Sequence, residues 1–368
     1  MTLASEDKNI EKYYAAAFHK ILNLSLNSCF VTILRHFGSW QEAWNSLKDP
    51  QSLGVPKKIS DKFILERKKT DPFQIAEELE KKGINLITRE DPSFSKLLLQ
   101  ISSIPCILYY CGNISILNSL SIAVIGSRKA TQYGLRQAKE MAFQLAGYGL
   151  AIISGMARGI DAAAHEGALE NEGNTIAVIG SALDMPYPRE NLALFQRIKT
   201  EGLVISEYPL GTGPFKQNFP VRNRIISGIS QGVFIIEAQA KSGTLITCDY
   251  ALEQGKDVFA LPGPVTSPNS IGTLRLIQNG AKLVIYPEDV LDELGYEYEQ
   301  ERISERKKNV SRLNQAEKDV LGCFFWEPVH IDKLLVNNDR QQVLYEILIK
   351  LEIKGLIKQL PGKYYVRV

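Results

Sequence analysis

The stretch that most constrains the fold is Ile122–Ile125, an unbroken apolar run that ends at Gly126-Ser127-Arg128. Four apolar residues without alternation predict a strand buried on both faces, as in a parallel sheet. Thr131 then stands where it can cap a helix whose apolar residues recur on one face. In a strand, turn and helix of this kind, the turn lies at the carboxyl edge of the sheet and favours anions. Arg128 adds a cation there whose planar fork suits phosphate.

The same alternation of apolar runs and helical spacing continues along the chain, each run ending in small or polar residues. The further predicted strands are Ala151–Ile153, Thr175–Ile179, Leu203–Ile205, Val233–Ile236, Val258–Leu261 and Lys282–Tyr286. Strands separated by helices predict βαβ units and a parallel sheet with right-handed crossovers. We therefore expect an α/β fold with an extended, doubly wound Rossmann-like sheet, its polar turns gathered along one edge.

A chain of 368 residues is too long for one ordinary core, and its pattern divides it into four parts. Residues 1–70 predict a small helical (SAM-like) domain, and residues 71–296 the Rossmann-like domain. Residues 297–311 are dense in charge and predict a linker. Residues 312–368 predict three helices and a hairpin, the winged-helix arrangement. Small helical bundles of this kind sometimes grip phosphates through a glycine-rich turn between two helices. The turn 25–28 has no glycine, so we favour a packing or assembly role for the first domain over direct contact with nucleic acid.

Composition excludes several classes of protein. The formal net charge is only +2, so any surface for nucleic acid must be a local patch. Five scattered cysteines and four distant histidines favour reduced thiols and no metal site. No apolar window is nearly as long as a membrane-spanning helix, and the N-terminus has no signal peptide. We therefore expect a cytoplasmic protein that does not associate with a membrane.

The segment Phe219–Arg224 carries two arginines around an asparagine. We predict that it lies directly before a helix. Arg222 and Arg224 could each clamp a phosphate, Asn223 could contact a sugar or base edge, and Phe219 could stack on an unpaired base. The alternative is that one arginine forms a structural ion pair with a neighbour such as Glu237. For the group, taken together with Arg128 and Lys241 at other strand ends, we favour binding.

A second basic turn, Lys241-Ser242-Gly243-Thr244, joins a predicted strand to a helix. Its hydroxyls and N–H groups suit a phosphate, and Ser242 or Thr244 could equally cap the helix. The spacing GxxxxGK[ST] is absent, which counts against a nucleotide triphosphatase. The glycine after Gly126 is Gly134, so the dinucleotide fingerprint GxGxxG is absent as well.

Groups suited to catalysis are few. Asp161 and His165 stand one helical turn apart, but an aspartate at a helix start is usually a cap, and we favour that interpretation. The GxSxG match at 228–232 precedes a strand, whereas a nucleophile elbow follows one. Glu207 and Glu237 are explained by ion pairs with arginines. We expect no enzyme activity and no cofactor.

Five motifs in order between Asp71 and Leu294 together resemble the bacterial DNA-processing protein A (DprA/Smf) family. They are Ile125–Arg128, Ser154–Asp161, Phe219–Arg224, Ser242–Thr247 and Leu261–Gly263. The resemblance implies a non-enzymatic protein that binds and protects single-stranded DNA and helps to load RecA recombinase in natural transformation or related recombination. It also implies a homodimer built through the Rossmann-like domain.

By position in the motifs, the resemblance implies which residues line a DNA pocket. They are Ser127, Arg128, Phe219, Arg222, Asn223, Arg224, Lys241, Ser242, Gly243 and Thr244. Two alternatives stay open. One is a Rossmann-like phosphoribohydrolase acting on nucleotides, although the glycine-rich loop usual in such enzymes is missing. The other is an interaction module whose pocket is vestigial and whose end domains recruit partners.

Overall fold

The computed structural model describes residues 3–22, 27–296, 313–324, 329–335, 341–354 and 356–367. It consists of two compact units, Met1–Tyr296 and Glu297–Val368. The predicted linker, 297–311, and residues 25 and 26 of the glycine-free turn lie outside the described residues. Each unit is described by itself.

The first unit contains a nine-stranded sheet in the order β1-β2-β6-β5-β4-β3-β7-β8-β9. The seven strands from β6 to β9 in this order pair in parallel. β2 pairs antiparallel with β6, and β1 pairs antiparallel with β2. The strands are β1 Asn85–Thr88, β2 Ile107–Gly112, β3 Ser121–Ile125, β4 Ala151–Ser154, β5 Thr175–Ile179, β6 Leu203–Ser206, β7 Gly232–Ile235, β8 Asp257–Ala260 and β9 Lys282–Leu283. This mostly parallel sheet with its helices confirms the α/β, Rossmann-like fold class.

The described residues of the first unit also form twelve α-helices. They are α1 Leu3–Leu22, α2 Asn27–Phe37, α3 Trp40–Ser46, α4 Lys57–Arg67, α5 Pro72–Lys81, α6 Gln132–Gly147, α7 Ile160–Glu170, α8 Leu192–Glu201, α9 Asn218–Gly228, α10 Gly243–Glu253, α11 Ile271–Gln278 and α12 Pro287–Glu293. Thr131 caps α6 by accepting the N–H of Gly134, as the sequence predicts.

Both faces of the sheet are buried, as the apolar runs predict. Along β5, Ala177 and Ile179 belong to one core cluster, and Ile176 and Val178 belong to a second cluster. Alternate residues of a strand point to opposite faces, so the two clusters cover the two sides of the sheet. The first cluster also contains residues of the N-terminal helices, such as Phe18. The predicted boundary at residue 70 therefore falls within one continuous core.

The second unit is built from α13 Gln315–Gly322, β10 Val329–His330, α14 Ile331–Leu335, α15 Gln341–Ile353, β11 Ile357–Leu360 and β12 Tyr364–Arg367. Its strands form an antiparallel sheet in the order β10-β12-β11. Leu344, Leu348 and Leu351 bury one face of α15 in the core of this unit. Three helices and the predicted hairpin are therefore present, with one short strand, β10, added to them.

The order of the strands fixes where a ligand site can form. From β3 the chain proceeds to β4, β5 and β6 on one side, whereas β7, β8 and β9 lie on the other side. The connections after β3 and β7 thus leave the sheet in opposite directions and open a crevice at the carboxyl ends of the strands.

Among the described residues, no helix is long and apolar enough to cross a membrane.

Candidate functional site

A groove of about 660 Å³ opens at this crevice, and we call it the Arg128 groove. Nine of the ten predicted site residues line it: Ser127, Arg128, Phe219, Arg222, Asn223, Lys241, Ser242, Gly243 and Thr244. Arg224 does not. The structure thus brings together three segments that are far apart in the sequence, namely the turn after β3, helix α9 and the start of α10.

The turn after β3 is held by one buried carboxylate. Glu237, only 2% exposed, accepts the backbone N–H of Thr131 at 2.9 Å and also the hydroxyl hydrogen of Thr131. Its backbone carbonyl accepts the N–H of Ser127 at 2.9 Å. The Ser127 hydroxyl in turn accepts the N–H of Lys129 at 3.1 Å. Glu237 therefore fixes the turn, and no arginine of the described residues forms the ion pair with it that the sequence allowed.

Arg128 projects from this fixed turn into the groove. Its guanidinium carbon lies 5.4 Å from the centre of the Phe219 ring, a cation–π geometry. The Phe219 ring packs on Gly180, where an added Cβ would lie 2.9 Å from Cδ1 of the ring. It also lies 5.7 Å from the ring of Tyr187, which is 40% exposed. The groove thus has an exposed guanidinium beside two aromatic rings.

Arg222 lines the groove but is only 3% exposed. Its Nη1 donates to the carbonyl of Gly155 at 2.8 Å and to the carbonyl of Val178, at the ends of β4 and β5. Burial lowers the pKa of Arg222 to about 10, and the nearby carboxylate of Asp161 opposes that shift. Arg222 thus ties the two strand ends together and carries its positive charge under the groove.

Asp161 stabilises the loop that follows β4. Its carboxylate accepts the backbone N–H groups of Gly155 at 3.1 Å and Ala157 at 3.3 Å. Burial raises the pKa of Asp161, while the charge of Arg222 lowers it. Gly159 occupies the capping position of α7, so the interpretation of Asp161 as the helix cap is wrong. Asp161 instead fixes the loop between β4 and α7.

Arg224 has a purely structural position. It is 6% exposed, and its Nη2 lies 2.5 Å from both carboxylate oxygens of Glu207, which is 1% exposed. The ion pair that the sequence allowed is therefore present, with Glu207 as the partner in place of Glu237. The expectation that Phe219–Arg224 precedes a helix is also wrong. The whole motif lies inside α9, because Asn218 already begins the helix.

The start of α10 presents both features that the sequence left open. Ser242 caps the helix by accepting the N–H of Thr244 at 3.2 Å, and its hydroxyl lies 3.0 Å from the Thr244 hydroxyl. Lys241 and Gly243 are exposed beside the cap. The positive end of a helix therefore faces the groove next to a lysine, and this arrangement favours a phosphate group.

The charge of the groove is strongly one-sided. Among the described residues, five cationic side chains line it, against the single carboxylate of Asp161. They are Arg128, Lys129, Lys216, Arg222 and Lys241. Sequence reasoning did not single out Lys129, Lys216 or Tyr187. Lys129 and Lys216 could have been found, because Lys129 directly follows Arg128 and Lys216 lies three residues before Phe219. Tyr187 has no local signal, since only the fold brings it to Phe219.

His165 takes no part in an acid–base pair with Asp161. Its Nδ1 lies 2.7 Å from the hydroxyl of Thr175, which itself donates to the carbonyl of Ile152 at 2.8 Å. Burial, reinforced by the charge of Arg222, lowers the pKa of His165 to about 3.

In the described part of the chain, no group of three or more His, Cys, Asp or Glu residues is suited to a metal ion.

Comparisons with known proteins identify the family. Residues 85–295 match the profile of the family described as DNA recombination-mediator protein A. A protein named Smf from Synechocystis is 34% identical over 91% of this chain and 94% of its own length. The chain belongs to this family. The DNA processing protein DprA of Streptococcus pneumoniae is 46% identical over 56% of this chain and 75% of its own length.

Two solved structures of the family have the same fold. The X-ray structure of DprA from Streptococcus pneumoniae matches with a TM-score of 0.67 at 35% identity, over 81% of this chain and all of the other. DNA processing protein A from Helicobacter pylori, described for its single-stranded DNA binding mode, matches with a TM-score of 0.53 at 32% identity. That match covers 58% of this chain and 98% of the other.

Proposed function

We propose that this chain binds single-stranded DNA in the Arg128 groove, catalyses no reaction, and helps to load RecA recombinase onto the bound strand. The observation that carries the proposal is the exposed guanidinium of Arg128 above the Phe219 ring. The remaining cations of the groove surround this pair. Cations that neutralise phosphates supply most of the affinity of proteins for nucleic acid.

Aromatic side chains favour a single strand over a duplex. Phe219 and Tyr187 face the groove, and Phe215 is 56% exposed next to Lys216. Unpaired bases can stack on such rings, whereas the bases of a duplex already stack on one another. The described Helicobacter pylori relative binds single-stranded DNA, which supports the same preference here.

The absence of catalysis is supported by the positions of the carboxylates. Glu237 holds the turn after β3, Glu207 pairs with Arg224, and Asp161 accepts two backbone N–H groups. A general acid or base needs to reach its substrate, and each of these groups is buried and bound within the protein. We therefore favour binding over the phosphoribohydrolase alternative.

We also propose a homodimer formed through the Rossmann-like sheet. β9 ends the sheet and pairs only with β8 among the described residues. Beside it, Leu283, Ile285 and Tyr286 are 39%, 56% and 63% exposed. An open edge with exposed apolar side chains is suited to pairing with a second copy. Sedimentation of the Leu283→Glu, Ile285→Glu variant tests this: we expect monomers, and an unchanged dimer would place the interface elsewhere.

Titration with labelled oligonucleotides tests DNA binding directly. We expect tighter binding to oligothymidylate than to a duplex of the same length. The logarithm of the affinity for the single strand should fall by about 0.7 per phosphate contact for each unit of log salt concentration. Equal or tighter binding to the duplex would contradict the proposal. Release of a free base from nucleoside monophosphates would instead favour the enzyme alternative.

The recombinase step needs its own measurement. RecA hydrolyses ATP when it assembles on single-stranded DNA, so its ATPase rate on DNA coated with single-strand binding protein reports loading. We expect this protein to raise that rate. The variant that ends before Arg312, which lacks the predicted winged-helix domain, shows whether that domain is required. If the full chain does not raise the rate, that result contradicts the loading role. The proposal of DNA binding would be unaffected.

A further inference from the structure

A second groove, of about 700 Å³, lies next to the Arg128 groove in the same compact unit. We call it the α8 groove, because Leu192, Phe195, Gln196 and Lys199 of α8 form one wall. The segment between β5 and α8 forms another wall, and Lys82, just after α5, stands at its rim. None of its cations belongs to the motifs that drew attention to the Arg128 groove.

The two grooves adjoin each other. Tyr187 and Pro214 line both of them. The Tyr187 ring lies at this boundary, 5.7 Å from the Phe219 ring, which itself lies under Arg128. A strand that leaves the Arg128 groove past Phe219 therefore meets Tyr187 and then the α8 groove, and Tyr187 offers a face for a base at the junction.

The charge of the α8 groove suits the same ligand. Lys82, Arg189 and Lys199 line it, and Asp184 is the single carboxylate among the described residues that line it. Asp184 is already engaged, because one oxygen lies 3.4 Å from Lys82 Nζ and the other accepts the N–H of Gly211 at 3.1 Å. Arg189 is exposed, whereas Lys199 is half-buried and its Nζ donates to the backbone carbonyl of Lys82 at 3.2 Å. Within the described residues no carboxylate lies within ion-pair distance of either side chain.

The groove also exposes apolar surface between its cations. Met185, Tyr187 and Leu192 are 42%, 40% and 45% exposed. Surfaces that follow a single strand combine cations for the phosphates with flat or apolar side chains for the bases. A protein partner would explain the apolar surface, but it would not explain the boundary shared with the Arg128 groove or the excess of cations.

We infer that the α8 groove is a second subsite for the same single strand of DNA, which passes from the Arg128 groove over Tyr187. Arg189 and Lys199 contact phosphates in this subsite, and Met185 and Leu192 lie against the bases. The inference rests on the proposed function, since it extends the path of the strand that the Arg128 groove binds.

The test compares oligothymidylates of about 4 to about 16 nucleotides, the range of site sizes found for single-strand binding folds. The variant is Arg189→Ala, Lys199→Ala in the full chain. We expect wild-type binding to the shortest oligonucleotides and about tenfold weaker binding to the longest. The salt slope for the longest should fall by about 1.4, for two lost phosphate contacts. The matched control is Arg197→Ala on α8, since Arg197 pairs with Glu201 and lines neither groove.

The possible results separate the two proposals. If the double variant binds every length like the wild type, the α8 groove is not on the path of the strand, and a protein partner becomes its better explanation. DNA binding in the Arg128 groove would then stand. If the wild type binds no single strand at any length, the proposed function fails, and the subsite fails with it. Unchanged binding of the shortest oligonucleotides shows that the variant is folded.

Discussion

The two sets of cations around the Arg128 groove differ in what surrounds them. Arg222 and Arg224 lie on α9 and are 3% and 6% exposed, each bound to carbonyls or a carboxylate of the protein itself. Arg128 and Lys241 lie on turns at strand ends and are exposed. Only the turn residues can exchange water for a ligand phosphate without breaking a bond inside the protein. The same side-chain chemistry thus supports the fold in one region and faces the ligand in the other.

The largest expected effect comes from breaking the buried pair. Arg224→Met leaves the carboxylate of Glu207 buried without its guanidinium, and losing one partner of a buried ion pair costs about 3–5 kcal/mol of unfolding free energy. Urea unfolding measures this loss. The matched variant Arg224→Met, Glu207→Leu removes both charges and should recover most of the stability. A single variant as stable as the wild type would contradict the structural role of Arg224.

The next effect concerns the exposed region. Arg128→Ala should weaken binding to single-stranded DNA about 30-fold, near 2 kcal/mol, because a charge-assisted contact with phosphate is lost. The unfolding free energy should change by only about 0.5 kcal/mol. Arg158→Ala is the matched control: its side chain is 57% exposed, pairs with Glu190 and lines neither groove. Equal affinity of the Arg128 variant and this control would remove Arg128 from the site.

The sequence predicted this contrast only in part. The apolar runs located the strands, and the rule that ligands bind at strand ends located Ser127, Arg128 and the turn at Lys241. The sequence could not distinguish the roles of Arg222 and Arg224, because the packing of α9 decides which of its residues face Glu207. Motif order gave both arginines the same role. Tyr187 and the α8 groove were missed for the same reason, since their position follows from the packing of α8 and not from local pattern.

The third effect uses pH to separate the stability of the buried region from DNA binding by the exposed groove residues. Burial lowers the pKa of His165 and His19 to about 3, so both stay neutral in the folded protein at pH 6. The unfolded chain binds protons at these histidines below about pH 6.5, and stability therefore falls as pH falls. From pH 7 to pH 6 the loss should be about 0.7 kcal/mol for each histidine.

Arginine and lysine side chains keep their charge over this pH range, so affinity for DNA should not change while stability falls. Urea unfolding and oligonucleotide titration at both pH values measure the two quantities on the same protein. A level stability would show that these histidines titrate alike in the folded and unfolded chain. A parallel fall in affinity would show that a titrating group takes part in the groove.

The smallest effect probes how closely the backbone of α10 approaches the ligand. A Cβ added at Gly243 meets no atom within 4 Å, so Gly243→Ala should leave stability unchanged or raise it by up to about 1 kcal/mol. The methyl group would stand in the groove where the first turn of α10 offers its N–H groups. We expect about threefold weaker DNA binding, near 0.6 kcal/mol.

Gly126→Ala gives the opposite pattern and serves as the comparison. Its Cβ would lie 2.9 Å from the carbonyl oxygen of Glu237 and 2.7 Å from Cγ1 of Ile160, so this variant should lose stability. If Gly243→Ala binds DNA like the wild type, no phosphate approaches the start of α10 closely. Lys241 would then act alone at that wall of the groove, and the strand would lie nearer to Arg128 and Phe219.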